Sequence, residues 1–252
     1  MYMTDEQDIV LILFMGRSHA HAVTSIQHYT PDAVHIITSD DFRKSYIRRL
    51  NDWSKKFGFR KGTVQSVSDL FEETSVPSLL NCVFRIAGHE NTLSEGKMEP
   101  QRWAIGMTGG TMHMAAVATT ASSILDTRVF YVIKPAKGES VMPNKHVIEM
   151  PGLHSVKMAM ALNPRDITTM MKEGGGSIPE LIGSTDIEPW MIGQMSHRGI
   201  IEIHPDGNEW RVAPMGKQLF TMLNSGPLWS SVLATEVQKI MAQSTEETIY
   251  HG

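Results

Sequence analysis

Apolar positions alternate between two rhythms over the first 150 residues. The run DIVLILFM (8–15) is apolar almost throughout, the pattern of a strand buried on both faces. HAHAVTSIQHY (19–29) follows with Ala22, Ile26 and Tyr29 at helical spacing. AVHIITS (33–39) predicts a second strand. The next segment, DDFRKSYIRRLNDWSKKFGF, sets Tyr46, Leu50, Trp53 and Phe57 on one helix face, with Asp40 and Asp41 at its amino end. GTVQSV (62–67) predicts a short third strand, and 77–88 a helix opened by a proline and closed by a glycine. HENTLSEGKMEP (89–100) reads as a loop. RWAIGM (102–107) is the fourth strand, GGTMHMAAVATTASSIL (109–125) its helix, RVFYVIKP (128–135) the fifth strand, and HVIEM (146–150) a sixth.

Strands and helices alternating at this spacing imply right-handed βαβ crossovers. The fold class is therefore α/β, a Rossmann-like, mostly parallel sheet with helices on both faces, over residues 1–155. The pattern changes after Pro151. Short helical segments lead into IIEIHPDGNEWRVAP, where Ile201 and Ile203 alternate ahead of Asp206-Gly207, and Trp210 and Val212 after it. That is a hairpin signature. Three short helices, a hairpin and a helix opening on MGKQLF predict a small winged helix-turn-helix domain over 156–252, with 187–197 as the recognition helix, Arg198-Gly199 turning into the wing, and 227–243 a terminal helix.

Composition narrows the setting without naming a task. The single cysteine, Cys82, excludes an internal disulfide, and the polar opening MYMTDEQD carries no signal pattern, so a cytoplasmic protein is expected. The longest apolar stretch is too short to span a bilayer, so no membrane partner is expected. The 18 methionines are adaptable core filler. From residue 160 onward the chain has 6 Lys and Arg against 11 Asp and Glu, a net charge of −5, while the first 159 residues carry +1. An acidic winged helix is a poor reader of DNA phosphates, and 187–197 contains no Lys or Arg but does contain Pro189 and Trp190. DNA is possible as a partner but disfavoured, and protein contact or dimerisation suits this helix better.

Ligands on doubly wound sheets bind outside the carboxyl ends of the strands, near the switch point. Two loops qualify. One is Gly16, Arg17, Ser18 and His19 after the first strand. The other is Met107, Thr108, Gly109, Gly110 and Thr111 after the fourth, running on into Met112 and His113. Paired glycines let backbone approach a ligand closely, and the first amides of the next helix are open donors for an anion. The competing reading is that the glycines only permit tight packing and Thr108 only caps the helix. Neither GxxxxGK[ST] nor GxGxxG is present, and no cofactor is expected. Arg17 suits a phosphate, and Ser18 is positioned to cap the next helix while donating to a ligand. His19 and His21 raise a metal reading, but residues two apart on a helix point about 200° apart, and no later strand end offers further ligands, so no metal is expected.

The order of a strand, GRSH, a parallel sheet, TGGT opening a small-residue helix, a strand ending in IKP and a winged helix resembles the CARF family, the CRISPR-associated Rossmann-fold sensors of cyclic oligoadenylates. TGGTMHM at 108–114 is similar to that family's TGGTK motif, followed one residue later by Met. The resemblance covers about the first 150 residues in topology, with motif identity confined to the two loops. It implies a homodimer that binds one cyclic oligoadenylate, here expected to be cyclic tetra-adenylate, across a two-fold axis. It also implies a lysine where this chain has Met112, leaving His113 and Lys134 as candidate substitutes for the missing charge.

Three functions follow as expectations. The first is a ligand sensor with a winged-helix output, of the transcriptional-regulator type. The second is a metal-independent ring nuclease, in which Arg17, Ser18, His113 and Lys134 position and stabilise a phosphate attacked by the neighbouring ribose 2′-hydroxyl. The third is a Rossmann-like nucleotide-binding enzyme unrelated to CRISPR. Under the first two, Gly110→Val is expected to abolish ligand binding while leaving the fold largely intact.

Overall fold

The structure, a computed structural model, describes residues 9–68, 70–96, 102–135 and 140–224. The predicted terminal helix at 227–243 lies outside them. The chain divides into two compact units, Met1–Gly152 and Leu153–Gly252.

The first unit is an α/β sandwich around one sheet. Strands β1 (Val10–Phe14), β2 (Ala33–Ser39), β3 (Arg60–Val67), β4 (Trp103–Gly106), β5 (Arg128–Val132) and β6 (Val147–Met150) lie in the order β3-β2-β1-β4-β5-β6. All neighbours are parallel except β6, which runs antiparallel to β5. The chain winds outward from β1 to β3, then returns through helix α3 (Ser75–Leu93) to place β4 on the other side of β1. The switch point therefore lies between β1 and β4.

The unbroken apolar run of β1 is explained by its central position. Leu11, Leu13 and Met15 pack with Ala22 and Ile26 of α1 (Ala20–Tyr29) and with Tyr46, Leu50 and Trp53 of α2 (Asp40–Phe57). Val10, Ile12 and Phe14 face the other way, toward Leu79, Val83 and Ile86 of α3 and Met114, Val117 and Ala121 of α4 (Met112–Leu125). Successive side chains alternate between the two layers, and each large apolar group so buried contributes about 1.5–3 kcal/mol.

Helix α3 is longer than its sequence pattern implies. Gly88 does not close it, and residues 89–93 continue the helix rather than forming a loop. The cause is a buried ionic network. Glu90 of α3, 2% exposed, accepts from His35 Nε2 of β2 at 2.9 Å and pairs with Arg60 of β3. The Thr63 amide donates to His35 Nδ1 at 3.0 Å, which fixes that nitrogen as the acceptor. Burial first lowers the His35 pKa, outweighing the raising effect of Glu90. Burial alone would raise the Glu90 carboxyl, but the His35 and Arg60 hydrogen bonds hold it down at about 2. Ordering one more turn of helix supplies the carboxylate that both partners need.

The second unit holds helices α6 (Leu153–Ala161), α7 (Pro164–Glu173), α8 (Ile178–Ser184), α9 (Pro189–His197) and α10 (Pro214–Asn224), after the short α5 (Pro143–His146) of the first unit. The expected hairpin is β8 (Ile201–Ile203) and β9 (Glu209–Val212), turning through Gly207 at φ 76°. A strand not anticipated from sequence, β7 (Gly175–Ser177), completes a three-stranded sheet in the order β7-β9-β8. Gly175 lies so close to β9 that a Cβ there would stand 2.8 Å from the Trp210 carbonyl oxygen. The pairing thus uses the lack of a side chain at Gly175. Trp210, Ile192, Met195, Leu219 and Phe220 sit in the core of this unit.

Candidate functional site: two loops at the switch point

The loops after β1 and β4 meet directly. The Gly16 amide donates to the Gly109 carbonyl, and a Cβ at Gly16 would run into that same oxygen. Contact this close requires glycine. The β4 exit is equally tight, because a Cβ at Gly106 would stand 2.8 Å from the Phe130 ring and 3.0 Å from Leu13.

Each loop is also tied to the body. Tyr46 of α2 donates its hydroxyl to the Gly16 carbonyl at 2.5 Å and approaches the Ser18 carbonyl at 3.3 Å. Burial raises the pKa of this phenol, keeping it a donor. Thr38 donates to the Met15 carbonyl at 2.8 Å, and the Met107 amide extends the sheet to Phe130 at 2.9 Å. The Thr108 hydroxyl accepts from the Val132 amide at 2.7 Å, clamping the second loop to the end of β5.

Beneath both loops lies His21. Its Nε2 is 3.2 Å from Met15 Sδ, and its imidazole fills the space a side chain at Gly109 would need. Burial, then the neighbouring His19, pulls its pKa down to about 4 against a raising hydrogen bond to Phe14. The ring is a neutral packing wedge at pH 7. His19, one residue before α1, instead approaches the Trp53 ring, with centroids 6.4 Å apart. The two histidines thus diverge, and among the described residues no group of three His, Cys, Asp or Glu is placed to hold a metal ion.

Several sequence-based roles change. Ser18 does not cap α1: the N-cap residue is His19, and no side chain caps that helix. Arg17 and Ser18 are both exposed and bond to no other side chain among the described residues. Thr108 does not cap α4; Thr111 does, its hydroxyl accepting from the Met114 amide at 3.4 Å. Gly110 is constrained by the helix it leads into, since an added Cβ would lie 2.8 Å from Met114 Cβ and nearer still to its sulfur. Met114 is fully buried, so Gly110→Val disturbs packing as well as any ligand space. Met112 is 87% exposed, and the exposed His113 turns toward the ring of Phe71. Lys134 is exposed two residues past the end of β5, on the same sheet edge but with no bond to either loop.

The structure thus brings together Gly16, Arg17, Ser18, Thr108, Gly109, Gly110 and Thr111, while His113 and Lys134 flank them. Sequence reasoning missed the supports Tyr46 and Thr38, and the Phe71 ring beside His113. Tyr46 reads in sequence only as one member of an apolar helix stripe. Chemically, the site offers the exposed Arg17 guanidinium, the exposed Ser18 hydroxyl and the Met112 and His113 amides of the first turn of α4, an arrangement suited to phosphate.

No family model matches the chain, and no curated protein matches it. Solved structures resemble it in outline. They include Enterococcus italicus Csm6 bound to cyclic hexa-2′-fluoro-hexa-dAMP, at 14% identity and a TM-score of 0.40 over 50% of this chain and 34% of that one. Another is Can2 from Sulfobacillus thermosulfidooxidans in complex with cyclic tetra-adenylate, at 10% identity and a TM-score of 0.40 over 89% of this chain and 64% of that one. Protein VC1899 from Vibrio cholerae aligns at 11% identity with a TM-score of 0.39, covering 86% and 67%. The chain therefore spans about a third of the first and under two thirds of the second. Likeness at this level assigns neither a ligand nor an activity.

Proposed function

We propose that the first unit binds a cyclic oligoadenylate at the carboxyl ends of β1 and β4 and acts as a CARF-type sensor. The observation that carries this reading is the backbone bond from Gly16 to Gly109, which joins the GRSH and TGGT loops at the switch point into one anion-binding edge. Arg17, on the loop facing TGGT, supplies the positive charge that Met112 does not. A cyclic ring with its own rotational symmetry fits two such edges across a two-fold axis, so the binding species in this reading is a homodimer.

The second unit serves as a winged-helix output. The order of its helices, three-stranded sheet and hairpin supports this reading, in which α9 takes the recognition position. The solvent side of α9 presents Trp190, Gln194 and His197 and no lysine or arginine, which favours contact with protein over DNA phosphates.

The test is calorimetric titration of the protein with cyclic tetra- and hexa-adenylate in EDTA. Saturable binding of either ring supports the reading, and binding of neither removes it. A second reading, a metal-independent ring nuclease, is favoured by the exposure of Arg17 and Ser18, which have no side-chain partner among the described residues. In that reaction a ribose 2′-oxygen attacks the adjacent phosphorus and the P–O5′ bond breaks, leaving a 2′,3′-cyclic phosphate and a 5′-hydroxyl that takes the proton. Chromatography of the same incubations separates the two readings, since intact ring after prolonged binding eliminates cleavage.

A further inference from the structure

The connection from β3 to α3 carries Leu70 and Phe71, and the two behave oppositely. Leu70 packs against the core, whereas Phe71 is 81% exposed. Phe71 therefore contributes little to holding this connection down, and an aromatic ring left in water costs stability that burial would recover. Its position is specific. The connection brings the Phe71 ring to the first turn of α4, where it meets the His113 imidazole edge-on, with centroids 6.4 Å apart and planes at 84°. Met112, the neighbouring residue on that turn, is 87% exposed. An aromatic ring and an imidazole thus meet on the solvent side of the first turn of α4, just after Thr111, with the exposed Met112 on the same turn.

Immediately behind them is the phosphate-binding chemistry already described. The amides of Met112 and His113 belong to the first turn of α4 and have no intrahelical acceptor, while the Met114 amide is taken by Thr111. A phosphate on those two amides places its own nucleoside within reach of the His113 ring, which belongs to the same helical turn, and of the Phe71 ring that meets it from the β3–α3 connection.

We propose that Phe71, with His113 and Met112, forms a stacking platform for a purine base of the bound oligonucleotide. This deepens the ring-binding reading above and rests on it. It also gives Met112 a role: where a lysine would contact phosphate through its charge, the thioether contributes apolar contact to the face of a base. Stacking tolerates any base but strengthens with ring size, so the platform favours adenine over uracil.

Four proteins, wild type and the Phe71→Ala, Phe71→Tyr and His113→Ala variants, are titrated with cyclic tetra-adenylate and cyclic tetra-uridylate. Phe71→Ala is expected to weaken cyclic tetra-adenylate binding roughly ten- to hundredfold, Phe71→Tyr to stay within about threefold of wild type by preserving the stacking face, and the uridylate ring to bind more weakly to wild type. All four should melt at the same temperature, because Phe71 and His113 are exposed. Wild-type binding that Phe71→Ala leaves unchanged overturns the platform and leaves ring binding standing. A parallel measurement does not depend on the ring: adenosine 5′-monophosphate should shift the His113 imidazole resonances more strongly than ribose 5-phosphate does. If no ring binds but adenosine 5′-monophosphate still shifts His113, the platform survives and the ring-binding reading fails. If both phosphates shift it equally, or neither does, the platform is overturned.

Discussion

The imidazole of His21 lies where a side chain on Gly109 would have to go, and Gly109 itself sits at φ 107°. One glycine therefore answers two demands, a backbone conformation that other residues adopt only under strain and the vertical clearance over a buried ring. Gly109→Ala is expected to destabilise the protein by about 2 kcal/mol or more. Thermal unfolding of the single variant and of Gly109→Ala with His21→Ala separates the two demands. The double variant should regain the steric share, and the strain at φ 107° should remain. Equal stability of Gly109→Ala and wild type would refute the packing assignment.

Acid should unfold the protein in two stages. His21 and His35 both bind protons more weakly when folded than the ordinary 6.5, His21 down to about 4. The unfolded chain therefore takes up more protons, and stability present above pH 6.5 falls as pH drops through the window from about 6.5 to 4. Glu90, held at about 2 against the ordinary 4.5, adds stability present above pH 4.5 that is lost toward pH 2. Melting temperature measured from pH 8 to 3 at constant ionic strength should fall in both windows. His21→Gln should flatten the upper one, and an unchanged slope would show that His21 does not supply it.

Much of the first unit is legible in the chain because its determinants are local. The apolar run of β1, the stripe Tyr46, Leu50 and Trp53, and the glycines of TGGT each state their environment within a few residues. What could not be read depends on partners distant in sequence. Helix α3 outlasts Gly88 because Glu90 is wanted by His35 and Arg60, 55 and 30 residues away. The strand β7 exists because Gly175 lets β9 approach. The cap of α4 is Thr111 rather than Thr108 because the Thr108 hydroxyl is taken by Val132. Tyr46 reads in sequence as core, and only the fold reveals that its hydroxyl holds Gly16.

Tyr46→Phe removes that hydroxyl while keeping the buried ring. The part-buried Gly16 carbonyl loses its donor, a change of about 1 kcal/mol. Tyr46 touches no ligand in the proposed mode, so weakened ring binding in this variant would mark it as a positioning residue. Titration alongside thermal unfolding checks this, and unchanged affinity would refute the positioning role.

Arg17→Ala should separate binding from stability cleanly. Arg17 is exposed and pairs with no carboxylate among the described residues, so melting should shift by less than the equivalent of about 0.5 kcal/mol. Loss of a charge-assisted contact to phosphate is expected to weaken ring binding roughly tenfold or more, and the salt dependence of the remaining affinity should become shallower. Wild-type affinity in Arg17→Ala would send the search for the missing charge to Lys134.

The bond between the Gly16 amide and the Gly109 carbonyl spans the mouth of the crevice, joining two connections that lie more than ninety residues apart. The Gly16 proton can leave for solvent only when those connections separate. Its exchange rate is thus a clock for how often the crevice opens. A guest that grips both sides must slow that clock, and one seated elsewhere must leave it running as before.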